Sequence, residues 1–235
     1  MHKFGFILLI IFFFAGCGGE PAQEKEDAKE LPANRLTELK MRAEKEPENA
    51  AVFNELALYY LSRDNFNDAL HNINKSLGLE PNNTAYFVTL SDIYLMMGDA
   101  ERAKRTLYRA MDMEPANADI YVHLGRIHVF TEDYPHAFEN LRQAIELDRN
   151  HSNAFFWRGV ARLETGDTTS AINDWQVAVA HNPDSFDGYF QLGLLMSERK
   201  DRYAFDYLNH ALRLAPPDPE SVSYTHLTLP TKRIV

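Results

Sequence analysis

The chain has 235 residues with a formal net charge of −10 and an ordinary apolar share enriched in aromatics, enough for a sizeable core. The acidic balance and the lack of clustered Lys and Arg exclude a nucleic-acid-binding surface. A single cysteine excludes an internal disulfide framework.

In chain order, Met1–Lys3 is weakly basic and Phe4–Phe14 is an almost unbroken apolar run. That run is short of the roughly 20 residues a membrane span requires, and it fits the apolar region of a signal peptide covering residues 1–16. It ends in Phe14-Ala15-Gly16-Cys17, which resembles the bacterial lipobox, with Phe14 where leucine is usual. The resemblance implies that Cys17 takes a diacylglycerol thioether and becomes a lipidated N-terminus. Two or more acyl chains anchor stably where one does not. The expected location is therefore the cell envelope, on the periplasmic or surface face of an outer membrane. Residues 17–31 are polar, charged and free of apolar periodicity, and read as a flexible tether. Residues 32–49 read as one capping helix with Leu36, Leu39 and Ala43 on its inner side. Arg35, Lys40, Arg42 and Lys45 are expected to form its polar outer face.

From Ala50 onward the sequence repeats. Pro47, Pro81 and Pro115 are spaced 34 residues apart, and Pro183 resumes the same step. The units are 50–83, 84–117, 118–151, 152–185 and 186–217. Each opens on an aromatic residue: Phe53, Phe87, Tyr121, Phe155 and Tyr189. Small residues follow at Ala57, Ser91, Gly125, Gly159 and Gly193. A second small column runs through Ala69, Ala103, Ala137, Ala171 and Ala204, and a third through Ser76, Ala110, Ala144, Ala178 and Ala211. Large fillers lie between those two: Ile73, Leu107, Leu141, Trp175 and Leu208. Small columns let two helices of a hairpin cross closely, and the fillers occupy what remains. The fifth unit is one residue short between Gly193 and Ala204, which predicts a tighter inter-helix turn.

These columns resemble the tetratricopeptide repeat. The resemblance implies an all-α, right-handed solenoid of about five helix-turn-helix units with a concave groove, and a partner that is a protein or peptide. It places Asn54, Leu58, Val88, Asp92, Val122, Arg126, Phe156, Val160, Phe190 and Leu194 on the groove, with Leu61, Leu95, Val129 and Leu163 either lining it or packing between units. Phe156 and Phe190 are the aromatic positions read as binding. The basic clamp by which some family members grip an acidic carboxyl terminus is missing, since Ala51, Leu58 and Asp92 stand where it would need polar or basic groups.

The fourth unit departs most from the pattern. Arg158 and Arg162, one helical turn apart, read either as a candidate anion site or, more commonly for such pairs, as ion partners of Asp174 or Glu139. Catalytic signals are poor. His123 and His128 do not share a helix face, the other histidines are scattered, and neither a metal-ligand spacing nor a phosphate-binding loop is present. No enzyme, cofactor or metal is expected.

After Pro216-Pro217 the columns stop. Val222–Thr231 (VSYTHLTLPT) back-translates to a sequence resembling a transposase adapter of sequencing libraries, so residues 221–235 are expected to be a non-native tail. The functional expectation is a membrane-anchored interaction scaffold. The alternative is the docking arm of a larger enzyme or wall-binding protein.

Overall fold

The computed structural model describes residues 32–215, and these are helical with no strand. The expected signal peptide, Cys17, the tether and the tail lie outside the described residues. The helices are α1 (Pro32–Lys45), α2 (Ala50–Leu61), α3 (Phe66–Leu79), α4 (Thr84–Met96), α5 (Ala100–Met113), α6 (Ala118–Phe130), α7 (Tyr134–Leu147), α8 (Ser152–Glu164), α9 (Thr168–His181), α10 (Phe186–Glu198) and α11 (Ala204–Leu214). None is long and apolar enough to cross a membrane. From α2 onward they pack as hairpins, α2 with α3 through α10 with α11, and each second helix also packs on the next first helix. First helices touch directly from repeat to repeat, α2 with α4, α4 with α6 and α6 with α8. The result is a one-dimensional all-α stack.

Side-chain caps mark the helix boundaries. Asn49, Asn83 and Asn117 each accept from the backbone N–H two residues on. Each also donates its amide to the glutamate three residues earlier, Glu46, Glu80 or Glu114, at 2.6–2.8 Å. One residue thus satisfies a free helix N–H and ties down the inter-repeat turn. The second helices start on Asn65, Asp99, Asp133 and Asp167, whose side chains cap α3, α5, α7 and α9. Every hairpin turn passes through one left-handed residue: Asp64, Gly98, Glu132, Gly166 and Lys200. Only two of these are the glycine that this conformation favours.

The small columns and fillers form the core. Ile73, Leu107, Leu141 and Trp175 are fully or almost fully buried, as are the alanines beside them. Where a column holds serine, its hydroxyl is satisfied: Ser76 Oγ donates to Ala50 O at 2.8 Å, and Ser91 Oγ to Ala103 O at 3.2 Å. In α1, Leu39 is buried against Phe53 and Leu56. Arg35 and Arg42 do not form an outer face as expected. Both reach Glu55 of α2, at 2.8 and 2.9 Å, Arg42 half-buried and Arg35 still 47% exposed, while Lys40 and Lys45 remain exposed.

The fifth repeat also departs from expectation. Its turn is longer, residues 199–203, where the three preceding repeats use 97–99, 131–133 and 165–167. The missing residue comes out of α11, which has 11 residues where the other second helices have 14. Tyr203 stands at its start and gives the helix no side-chain cap.

On α11, Phe205 and Leu212 are 70% and 72% exposed. They follow the alanine columns by one residue. In earlier repeats the same positions, Leu70 with Leu77, Phe138 with Ile145 and Ile172 with Val179, are packed into core clusters beneath the following repeat.

Candidate functional site

Residues one repeat apart in the same column meet where first helices stack. Leu58, Asp92 and Arg126 belong to one such column, and Asp92 of α4 pairs with Arg126 of α6 across a separation of 34 residues. The His123 ring approaches the same carboxylate, Nδ1 lying 3.0 Å from Asp92 Oδ1. Burial pushes the Asp92 carboxyl up, but Arg126 and then His123 outweigh it and hold the pKa at about 2. The folded pKa lies below the unfolded one, so the pair contributes its stability above about pH 4 and loses it as pH falls toward 2. At neutral pH this acid is ionised.

Apolar side chains surround that pair. Leu58, Leu61, Leu95, Met96 and Phe130, with Ser62 and Thr131 at the edges, enclose a cavity of about 520 Å³ across the first three repeats. Leu58 is 45% exposed although large and aliphatic. A concave apolar space of this size with a few fixed polar groups is the usual form of a binding site. Arg126 also lines a second cleft of about 100 Å³ with Val122, His123, Asn153, Phe156, Trp157, Ser185 and Asp187. Arg126 therefore borders both.

The structure gathers Leu58, Leu61, Asp92, Leu95 and Arg126 at the first cavity and Val122 and Phe156 at the second. Asn54, Val88, Phe190 and Leu194 are half-buried and border neither. Val129 and Val160 are core residues, 0% and 4% exposed. Phe156 needs correction as a binding anchor. It is 5% exposed and packs edge-on against Trp157, with the Trp175 ring 6.4 Å away. Phe190 stacks on Phe186 at 5.6 Å.

The candidate anion site at Arg158 and Arg162 is also corrected. Arg158 grips Asp174 with Nε and Nη2 at 2.9 and 2.7 Å, and Arg162 Nη1 reaches the same carboxylate at 2.8 Å. The fork that would recognise an external anion is closed by a residue of the facing helix, leaving the ion pair with Asp174.

The scattered histidines are less scattered in space. Across the turn of the third repeat, His128, Asp133 and His136 come together, each offering a donor atom within 4.8 Å of the others. Their order along the chain crosses a helix end, a turn and a helix start, so no single-helix spacing announces it. His128 is buried and its basicity is lowered, chiefly by burial, against the opposing pull of Asp133.

Tetratricopeptide-repeat models match residues 85–117 and 124–186. No curated protein matches the chain. Among solved structures, a thermophilic TPR protein of Thermus thermophilus, TTC0263, is 19% identical, with 71% of this chain and 91% of that chain covered and a TM-score of 0.65. The structure described as functional characterization of Pseudomonas aeruginosa pilF is 19% identical, covering 74% of this chain and 80% of that one, with a TM-score of 0.59. The Cut9-Hcn1 hetero-tetramer of APC/C is 22% identical over 79% of this chain and 37% of that chain, with a TM-score of 0.65. At these identities the likeness is one of fold.

Proposed function

We propose that this chain of tetratricopeptide repeats is a lipid-anchored scaffold of the bacterial cell envelope that captures an extended protein or peptide segment in the groove of its first three repeats. The observation that carries the groove reading is the cavity between Leu58, Leu95 and Phe130, with the ionised Asp92–Arg126 pair set in its apolar wall. An aliphatic or aromatic anchor of the partner fills the apolar space, and the fixed pair orients the partner's backbone or a polar side chain. The chemistry is binding, with no catalytic role for any residue.

The exposed Leu58 permits a test that leaves the core alone. Leu58→Asp is expected to abolish recovery of groove-bound partners from envelope extracts while the helical circular-dichroism signal and melting temperature stay at the parent values. Unchanged partner recovery would move the binding surface off this face. Phe156 does not serve this purpose, because a charge at a 5% exposed core position unfolds the fourth repeat.

Anchoring is supported by the apolar run before Cys17 and by the small residues Ala15 and Gly16. Metabolic labelling with a palmitate analogue is expected to mark the parent chain and to vanish in Cys17→Ser. Label that persists in the variant removes Cys17 as the anchor.

The apolar column at Phe205 and Leu212 favours a second reading, in which these repeats are the docking arm of a larger enzyme or wall-binding protein whose next element seats on α11. The length of the genomic reading frame beyond the fifth repeat discriminates the two.

A further inference from the structure

His128 lies in the last turn of α6, Asp133 caps α7 and His136 stands in the first turn of α7. The left-handed backbone of Glu132 (φ 57°) reverses the chain between them. Nδ1 of His136 lies 2.8 Å from both carboxylate oxygens of Asp133, and Nδ1 of His128 lies 3.2 Å from Oδ2. The two imidazoles stack at 5.3 Å with planes 28° apart. His128 is 5% exposed, and its Nδ1 is buried without a hydrogen-bond partner despite the nearby carboxylate. A buried ring nitrogen left unpaired is costly, and ring nitrogens converging on carboxylate oxygens form an arrangement that a cation between them satisfies.

We propose that His128 Nδ1, the Asp133 carboxylate and His136 Nδ1 bind one divalent first-row transition ion, with Zn²⁺ the best fit. Two imidazoles and one carboxylate suit zinc and its neighbours, whereas calcium and magnesium take all-oxygen sets. Bonds of about 2.0–2.1 Å in tetrahedral geometry place ligand atoms roughly 3.3 Å apart. The separations of 2.8 and 3.2 Å are close to that edge. The remaining adjustment falls to His136, whose side chain is 70% exposed. Three protein donors leave a fourth position open to solvent on the His136 side. The charge opposing the ion is the Lys104 ammonium on α5, which is itself paired with Glu101 at 2.7 Å. The bound ion ties the end of α6 to the start of α7, beside Phe130 and Thr131, which line the groove cavity. The site thus fixes one wall of the groove without entering it.

The test uses the full chain purified without a histidine tag and titrated with ZnCl₂ and, separately, CoCl₂. One ion per chain is expected, with the Co²⁺ form showing the visible absorption of a low-coordinate site. Asp133→Asn is expected to weaken Zn²⁺ binding by about 100-fold or more, the upper end of what losing a supporting hydrogen bond alone costs. Asparagine still caps the helix, as Asn65 does for α3, so this variant keeps its fold. His136→Ala, at an exposed position, is expected to lose binding equally, and the exposed His71→Ala to leave it unchanged. Absence of one-to-one Zn²⁺ binding in the parent chain overturns the proposal, and so does an affinity that survives both Asp133→Asn and His136→Ala.

Discussion

Asp174→Ala is expected to lower the unfolding free energy by about 3 kcal/mol or more, among the largest losses available to a single substitution in this chain. The Asp174 side chain on α9 is 4% exposed, while those of its partners Arg158 and Arg162 on α8 are 22% and 29% exposed. The carboxylate accepts from both arms of Arg158 and from Arg162, so it carries the whole negative charge of a three-group network. Its removal leaves two guanidiniums one helical turn apart with no counter-charge, Arg162 keeping only its contact to Ser170 O at 3.3 Å. Breaking a buried pair from its central member costs more than the pair contributes to stability, because the survivors stay desolvated. Arg162→Ala is expected to cost only about 1 kcal/mol, since the bidentate Arg158–Asp174 contact survives it. Urea unfolding followed by circular dichroism separates the two. Equal losses, or an Asp174→Ala loss below that of Arg162→Ala, would mean that the arginines reach solvent and the network does not hold α8 to α9.

The repeat made the architecture legible before any coordinates. Five independent units agreeing at the same columns leave little freedom in where helices start, which faces pack and which residues must be small. What depended on one unit alone was harder to read. Phe156 occupies a groove column by register, yet it packs against Trp157 and Trp175 and is buried, as is Val122 one repeat earlier in the same column, so the column turns toward the core in these units. The Asp92–Arg126 pair was within reach, because both residues sit in one column and neighbouring members of a column stack. Their opposite charges are the signal for it. Polarity alone puts Arg42 on the outer face, but the acceptor that draws it to α2, Glu55, lies on the next helix. In the fifth unit the sequence counts one residue fewer without saying which element yields it; α11 does, and Tyr203 at its start gives it no side-chain cap. The His128–Asp133–His136 cluster lies across a turn, where neither the helical nor the strand period relates one residue to another.

The fourth repeat also holds the sharpest packing test. A Cβ added at Gly159 would lie 2.6 Å from Trp175 Nε1 and 2.7 Å from Cδ1. The indole cannot retreat, because Trp175 is 1% exposed and its N–H donates to Phe156 O at 3.0 Å. Gly159→Ala is therefore expected to destabilise by about 1–2 kcal/mol net, overpacking of roughly 1–3 kcal/mol exceeding the helix-propensity gain of up to about 1. The first two repeats show what relieves it. There the same contact is made by Ala57 with Ile73 and by Ser91 with Leu107, pairs that accommodate a Cβ. In a Trp175→Ile background, itself costing about 3 kcal/mol for the lost ring, adding Gly159→Ala is expected to be neutral or mildly stabilising. The double-mutant cycle should then show a coupling of about 1–3 kcal/mol, the overpacking term itself. If Gly159→Ala costs the same in both backgrounds, the strain belongs to the crossing of α8 and α9 and not to the indole. The fifth repeat is expected to respond differently, since a Cβ at Gly193 would meet the backbone nitrogen of Leu208 at 3.0 Å as well as its side chain. Trimming Leu208 removes only part of that contact, so full relief is confined to repeats in which a side chain alone fills the space above the glycine, Trp175 above Gly159 and Leu141 above Gly125.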